Sequence, residues 1–273
     1  SADFNDPLSG LVVGDVPEPD VPVGWTTVQM KAASLNHHDL WSLRGIGLPT
    51  ERLPMILGCD AAGLDENGRE VVVYSIVSDA PIGIDETIDE SRSILSERFP
   101  GTFSERFAVP ARNLIPKPPN WTWSQAACLP TAWLTAYRML AVRSGLEPGN
   151  TVLVQGAGGG VATACIALGR AMGLRVWATS RSEEKRQRAL EIGAHDVFES
   201  GERLPERVDA VMETVGEATW EHSVKSLKSG GTIVVSGATS GPNASTPLIH
   251  VFFKQLSIVG STMGTIEDLR NLI

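Results

Sequence analysis

The sequence predicts an α/β chain in which a doubly wound parallel sheet follows a β-rich unit of the barrel type. Three observations carry this. Residues 151–162, TVLVQGAGGGVA, read as a short buried strand, a glycine turn and the start of a helix. From residue 151 onward strand-like and helix-like segments alternate strictly, the pattern of a parallel sheet covered on both faces. Residues 1–120 instead hold short strand-like pieces punctuated by Pro17, Pro19, Pro22, Gly24, Pro49, Pro54 and Pro81.

In chain order, the first strand-like pieces are residues 11–13, 26–32, 70–77 and 103–109. Residues 34–45 read as a short helix capped by Ser34 or Asn36 and carrying Asp39, Leu40 and Leu43. Residues 80–99 read as a solvated loop with one helical turn at 91–99. The proline-dense turn at 115–121 marks a boundary, and 122–145 reads as a helix that Pro130 must kink or split. Then come strand 151–155, helix 161–172, strand 175–179, helix 182–192, strands 196–198 and 209–214, helix 220–227 and strands 232–236 and 257–260. The opening Ser1 and the helix-like IEDLRNLI at the other end lead us to expect that terminal residues are missing.

The 273 residues are 42% hydrophobic and 20% charged, ordinary for one large or two modest globular domains. A net charge of −9 disfavours nonspecific binding to nucleic acid or anionic membranes. Cys59, Cys128 and Cys165 are odd in number and widely spaced, which excludes a disulfide framework and sets a reducing, cytoplasmic expectation. No apolar run is long enough to span a membrane, and no leader peptide is visible.

The glycine turn is the first candidate site. Gly156, Gly158, Gly159, Gly160, Val161 and Ala162 fit GxxGxxA, which lets a backbone approach a pyrophosphate at a helix N-terminus. A plain capping turn would also use glycine for positive φ. The next strand ends in Ser180 and Arg181, with Lys185 a turn later, where an NAD site usually has a carboxylate. Hydroxyl, guanidinium and ammonium suit a 2′-phosphate, so NADP(H) is expected, while Arg186 and Arg188 read as a solvated helix face. Thr214, Val215, Gly237, Ala238 and Thr239 follow later strands, where ligands of open α/β sheets lie.

Together these residues resemble the medium-chain dehydrogenase/reductase superfamily, and within it the zinc-independent quinone-oxidoreductase-like branch. The resemblance covers nearly the whole chain. It rests on MKAASLNHHD at 30–39, PMILGCDAAG at 54–63, GTFSER at 101–106, LTAYRML at 134–140 and the helix and turn at 185–195. It implies a GroES-like β-rich catalytic domain over 1–121, whose C-terminal return is expected to be missing, and a Rossmann NADP-binding domain over 122–273. It further implies an active site in the cleft between domains, with Thr131 joining the cofactor contacts, and a homodimer formed along the Rossmann sheet edge near 256–261.

Zinc-dependent relatives carry cysteine where this chain has Asn36 and histidine where it has Cys59, and residues 74–103 lack the cysteines of a structural zinc lobe. Cys59, Asp60, His37 and Cys128 are the donors from which an atypical site could assemble, but no metal is expected. The expected reaction is NADPH-dependent hydride transfer to a quinone or α,β-unsaturated carbonyl, with an aldehyde as a further small-molecule substrate class. Asn36 is the first candidate to donate to a developing oxyanion or to fix the nicotinamide ribose; His37 or His38 would relay a proton, and Tyr74 would line the pocket. The alternatives are a zinc-dependent alcohol dehydrogenase with unusual ligands and a regulatory protein that holds NADPH without turnover.

Overall fold

The computed structural model describes residues 2–81 and 83–273. The chain forms two compact units, residues 1–131 with 265–273, and residues 132–264. The division falls ten residues beyond the expected 121/122, and the last nine residues return to the first unit instead of staying with the second.

The first unit is built on an antiparallel five-stranded sheet. Its elements are β1 (Trp25–Ser34), α1 (His37–Leu43), β2 (Asp60–Asp65), β3 (Glu70–Val73), β4 (Ile76–Val77), β5 (Ser93–Ile94), β6 (Arg106–Pro110), β7 (Leu114–Pro116) and α2 (Trp123–Ala127). The sheet runs in the order β6-β1-β2-β3-β7, while β4 and β5 pair separately. Val28, Ala61, Val73, Leu95, Phe107 and Val109 form its core. Gly63 is dictated by packing: a Cβ there would lie 2.2 Å from the Gln29 carbonyl oxygen, beside a bulge between Met30 and Ala32. The expected strand at 11–13 does not form. Val12 and Val13 are 86% and 96% exposed in an extended segment with no ladder, because β-branched residues make a strand only where a partner edge meets them. The expected strand at 70–77 breaks into β3 and β4, and the helical turn expected at 91–99 is replaced by β5 and a turn with Ser96 at φ 72°.

Pro130 splits the next helical run as its missing N–H requires. α2 ends at Ala127, a π-helical turn spans Leu129–Trp133, α3 covers Leu134–Tyr137, and a second π turn follows at Arg138–Arg143.

The second unit holds a six-stranded parallel sheet. Its elements are β8 (Thr151–Val154), α4 (Gly160–Ala171), β9 (Arg175–Thr179), α5 (Glu183–Ile192), β10 (Asp196–Phe198), β11 (Val208–Glu213), α6 (Glu217–Ser226), β12 (Leu227–Val235), α7 (Leu248–Lys254) and β13 (Ser257–Gly260). The order β10-β9-β8-β11-β12-β13 reverses direction at β8, the topology of a dinucleotide-binding sheet. Alternate strand residues go to opposite faces: Val152, Val176 and Met212 pack with α4, and Leu153, Trp177 and Ile233 pack with Trp220 of α6. The doubly wound expectation holds. α8 (Ile266–Leu272) then closes the first unit, with Leu269 fully buried and the Ile266 amide 3.4 Å from Glu86 Oε1. Among the described residues no helix is long and apolar enough to cross a membrane.

Candidate functional site

In the second unit the glycine turn sits at the strand-order reversal. Gly156 has φ 74° and Gly158 φ 101°, conformations that other residues rarely adopt. A Cβ at Gly156 would lie 2.6 Å from Val215 Cγ2, and one at Gly158 would lie 2.6 Å from Lys185 Cδ. The aliphatic stem of Lys185 therefore drapes over the turn. Gly159 caps α4 in an extended conformation, so the N–H groups of Gly160, Val161 and Ala162 open the helix without helical partners. The Ala157 amide is tied to the Thr179 carbonyl at 2.8 Å, which joins the turn to β9.

At the end of β9, Ser180 is buried and accepts from the Ser182 amide at 3.2 Å, while Arg181 and Lys185 are exposed. Arg186 departs from the expected solvated face. Its side chain is only 16% exposed, donates to the Ser180 carbonyl at 2.6 Å and pairs with Glu183, so it braces the strand end. Arg188 is exposed and pairs with Glu191, as a surface residue would. Thr214, Val215, Gly237, Ala238 and Thr239 come together: the Thr239 amide reaches the Thr214 carbonyl at 3.3 Å, and a Cβ on Gly237 would lie 2.9 Å from that same oxygen. This turn and these loops form a cradle at the carboxyl ends of parallel strands, and they fit a dinucleotide.

In the first unit the site is built around Asp60, fully buried at the start of β2. Its carboxylate accepts from Ser34 Oγ at 2.6 Å, Asn36 Nδ2 at 2.8 Å, Thr131 Oγ1 at 2.5 Å and Ser75 Oγ at 3.3 Å. Burial pushes Asp60 up to about 6, against the pull of these donors. Asn36 caps α1, and Asp39 in its first turn accepts from the Asn36 amide at 2.7 Å and the Gly58 amide at 3.1 Å. Gly58 has φ 93°, and a Cβ there would lie 2.4 Å from the Phe103 ring, which explains the glycine before Cys59. Asn36 Nδ2 also lies 3.6 Å from Cys59 Sγ, so the amide nitrogen is committed to Asp60 and the sulfur and its carbonyl remains as an acceptor.

The other sequence candidates fall differently. His37 is exposed and meets Trp41 edge-on at 5.1 Å. His38 lies 3.1 Å from Glu97 through Nε2, and its buried Nδ1 has no partner. Tyr74 is 1% exposed and borders a cavity of about 40 Å³ with Ile76, Arg112 and Arg270, room for a water and not for a quinone. Thr131, assigned to the cofactor, spends its hydroxyl hydrogen on Asp60. Sequence reasoning placed Asp60 only among possible metal donors and gave Glu213 no part; the available signal for both was a lone carboxylate in an otherwise apolar stretch.

Zinc-dependent members of the resembled superfamily carry a metal, and the first unit offers one donor set for it among the described residues. His38, Asp39 and Cys59 each offer a ligand atom within 4.8 Å of the others. Their engagements do not fit a zinc tetrahedron. Both Asp39 oxygens hold backbone amides, Asn36 directs an N–H group toward the Cys59 sulfur, and Asp60 is occupied by four side-chain donors. Burial and then the Asp60 charge hold the Cys59 thiol well above its ordinary range, and the same two causes raise Cys128.

Two family models match the chain, "Alcohol dehydrogenase GroES-like domain" over residues 22–119 and "Zinc-binding dehydrogenase" over 160–273. An acryloyl-coenzyme A reductase of Metallosphaera sedula is 31% identical, over 95% of this chain and 83% of that protein. A quinone oxidoreductase of Mus musculus is 28% identical, over 87% of this chain and 71% of its own. The crystal structure of an NAD-dependent alcohol dehydrogenase superposes with a TM-score of 0.87 at 34% identity, over 95% of this chain and 82% of that one. With a β-rich unit, a six-stranded sheet reversing at its glycine turn and relatives aligned across nearly its full length, the chain belongs to the medium-chain dehydrogenase/reductase superfamily of oxidoreductases.

Proposed function

We propose that this protein is an NADPH-dependent reductase that delivers hydride to an α,β-unsaturated carbonyl or a quinone without a metal. The observation that carries the reading is the Asp60 centre, where hydrogens of Ser34, Asn36, Ser75 and Thr131 converge on a buried carboxylate. That arrangement leaves no set of free lone pairs for a Lewis-acidic ion, so activation of an alcohol by zinc has no support in these side chains. An aldehyde remains a third substrate class.

When bound, the nicotinamide supplies the hydride. The residues of the chain hold and orient it. The helix-opening N–H groups of Gly160 and Val161 favour the pyrophosphate, and the lack of a Cβ at Gly156 and Gly158 lets backbone approach it. Ser180, Arg181 and Lys185 favour a 2′-phosphate, since Lys185 reaches over Gly158 and no carboxylate ends β9. Thr214, Val215, Gly237, Ala238 and Thr239 support the other half of the molecule. Asn36, with its amide nitrogen engaged, accepts from a hydroxyl of a bound molecule instead of donating to an oxyanion. His37 is exposed, so it can exchange protons with solvent.

The protein pairs as a homodimer along β13. This is an edge strand with Ile258 46% exposed, and the neighbouring α7 exposes Leu248, Phe252 and Phe253.

The test is NADPH consumption, measured beside NADH, across quinones, enoyl thioesters, enones and aldehydes, with metal analysis of the same preparation. Turnover of an enone or quinone with NADPH that survives chelation supports the proposal. Stoichiometric zinc lost together with activity overturns it in favour of a metal-dependent alcohol dehydrogenase.

A further inference from the structure

β11 is an apolar strand that ends in a carboxylate. Glu213 is 0% exposed, and among the described residues no cation lies among its partners. Its Oε1 accepts from the Val215 amide at 2.9 Å, the Gly216 amide at 3.0 Å and Thr219 Oγ1 at 2.9 Å. Its Oε2 accepts from Ser223 Oγ at 2.6 Å, and Thr219 lies 3.0 Å away. Thr219 and Ser223 are one turn apart on α6, whose N-cap is Gly216, so the helix end adds its positive dipole to the donors. A carboxylate taken out of water needs such a set, and here it also organises what surrounds it.

The captured amides belong to the loop after β11, and that loop in turn locks its neighbours. Gly216 has φ 90°, and a Cβ there would lie 2.6 Å from the Gly241 carbonyl and 2.9 Å from Ala238 Cα. The Val215 carbonyl accepts from the Ser240 amide at 2.8 Å and from Ser240 Oγ at 2.7 Å. The Val215 side chain fills the space over Gly156. Behind the carboxylate, Ser223 Oγ accepts from Gln155 Nε2 at 3.0 Å, and Gln155 Oε1 accepts from Thr179 Oγ1 at 2.5 Å. A single side chain is thus bonded, directly or through one neighbour, to the glycine turn and to the loops after β11 and β12.

We infer that Glu213 is a positioning residue for the nicotinamide half of the cofactor: it sets Val215 and Gly216, and through them the 237–241 loop, at the distance the bound molecule requires. The inference rests on the cofactor reading above. The sheet order separates its effect from that of the adenosine half, because β9 and its basic end lie on one side of the glycine turn while β11 and β12 lie on the other.

The experiment titrates the full chain with NADPH and with the adenosine bisphosphate fragment of NADPH, in wild type, Glu213→Met and Glu213→Gln. Methionine keeps the volume and removes every acceptor. Glutamine keeps one oxygen for the two amides. We expect NADPH affinity to fall about tenfold or more in Glu213→Met and about threefold in Glu213→Gln, with fragment affinity changed less than about twofold. Equal weakening of NADPH and fragment shows a merely structural role and overturns the inference, as does wild-type NADPH affinity in either variant. If Glu213→Met fails to fold, the Glu213→Gln ratio of NADPH to fragment affinity decides alone. A wild-type chain that binds neither ligand overturns the cofactor reading itself, and this inference with it.

Discussion

Among the described residues each unit has one carboxylate that is 0% exposed, Asp60 and Glu213, and the two are held differently. Asp60 accepts from four side-chain donors drawn from three separate segments of the first unit, around residues 34–36, 75 and 131. Glu213 is held by two backbone amides and two hydroxyls, all within ten residues of it. A carboxylate fed by distant side chains fixes their rotamers and decides which of their polar atoms remain available. A carboxylate fed by adjacent amides fixes the course of a loop. The first therefore governs which side-chain atoms are left free, and the second governs the path of the backbone.

The largest expected effect breaks this contrast at the first centre. Asp60→Ala leaves four buried or half-buried donors without their acceptor and costs about 2–5 kcal/mol in denaturant unfolding. Asp60→Asn keeps the shape and costs less. A loss below about 1 kcal/mol for the alanine variant would show that the donors find water or each other.

The titration of Asp60 comes next. Its folded value of about 6 stands above the ordinary 3.8, so the folded state binds the proton more tightly than the unfolded chain. Its contribution is full below 3.8, declines as pH rises toward 6 and is absent above, a swing of about 3 kcal/mol by the displacement alone. Other carboxylates titrate in the same window, so the readout is the difference between wild type and Asp60→Asn from pH 4 to pH 7. That difference should fall across the window; a flat difference would mean that Asp60 stays ionised throughout.

Two smaller effects belong to the second unit and should leave the stability of the first unchanged. Gly158→Ala forces a side chain into φ 101° and against the Lys185 stem, and should weaken NADPH binding by about tenfold or more. The double variant Arg181→Ala, Lys185→Ala should lower the preference for NADPH over NADH by about tenfold, because exposed charges on a phosphate are worth less than a strained turn. An unchanged cofactor ratio would place the 2′-phosphate elsewhere or make NADH the true partner.

The second unit was more legible in the sequence than the first, for a physical reason. Its strands are covered on both faces, so each reads as a continuous apolar run, and β9, β10 and β13 match their expected bounds. In the first unit pairing decides more than propensity: Leu11, Val12 and Val13 have strand chemistry and no partner strand. α7 escaped notice because its apolar residues face out, which removes the periodic signal. The glycine turn could be read from spacing, but Arg186 folding back onto the Ser180 carbonyl could not, since a helix of alternating charges looks solvated all round. Asn36 was legible as a cap and as a polar candidate. Which end of its amide is free depends on Asp60, 24 residues later, and no local pattern encodes that.

The return of residues 265–273 to the first unit makes the second an insertion within it. A ribosome working from the N-terminus finishes the six-stranded sheet before it makes α8, so the earlier unit must wait with an unfilled seat for Leu269 while the later one folds. The segment 132–264 is continuous and is the natural piece to express by itself, whereas a chain stopped at 131 would lack a wall of the small cavity beside Tyr74. A nascent chain captured just short of α8 should therefore present its second unit protected from proteases and its first with the seat of Leu269 still open.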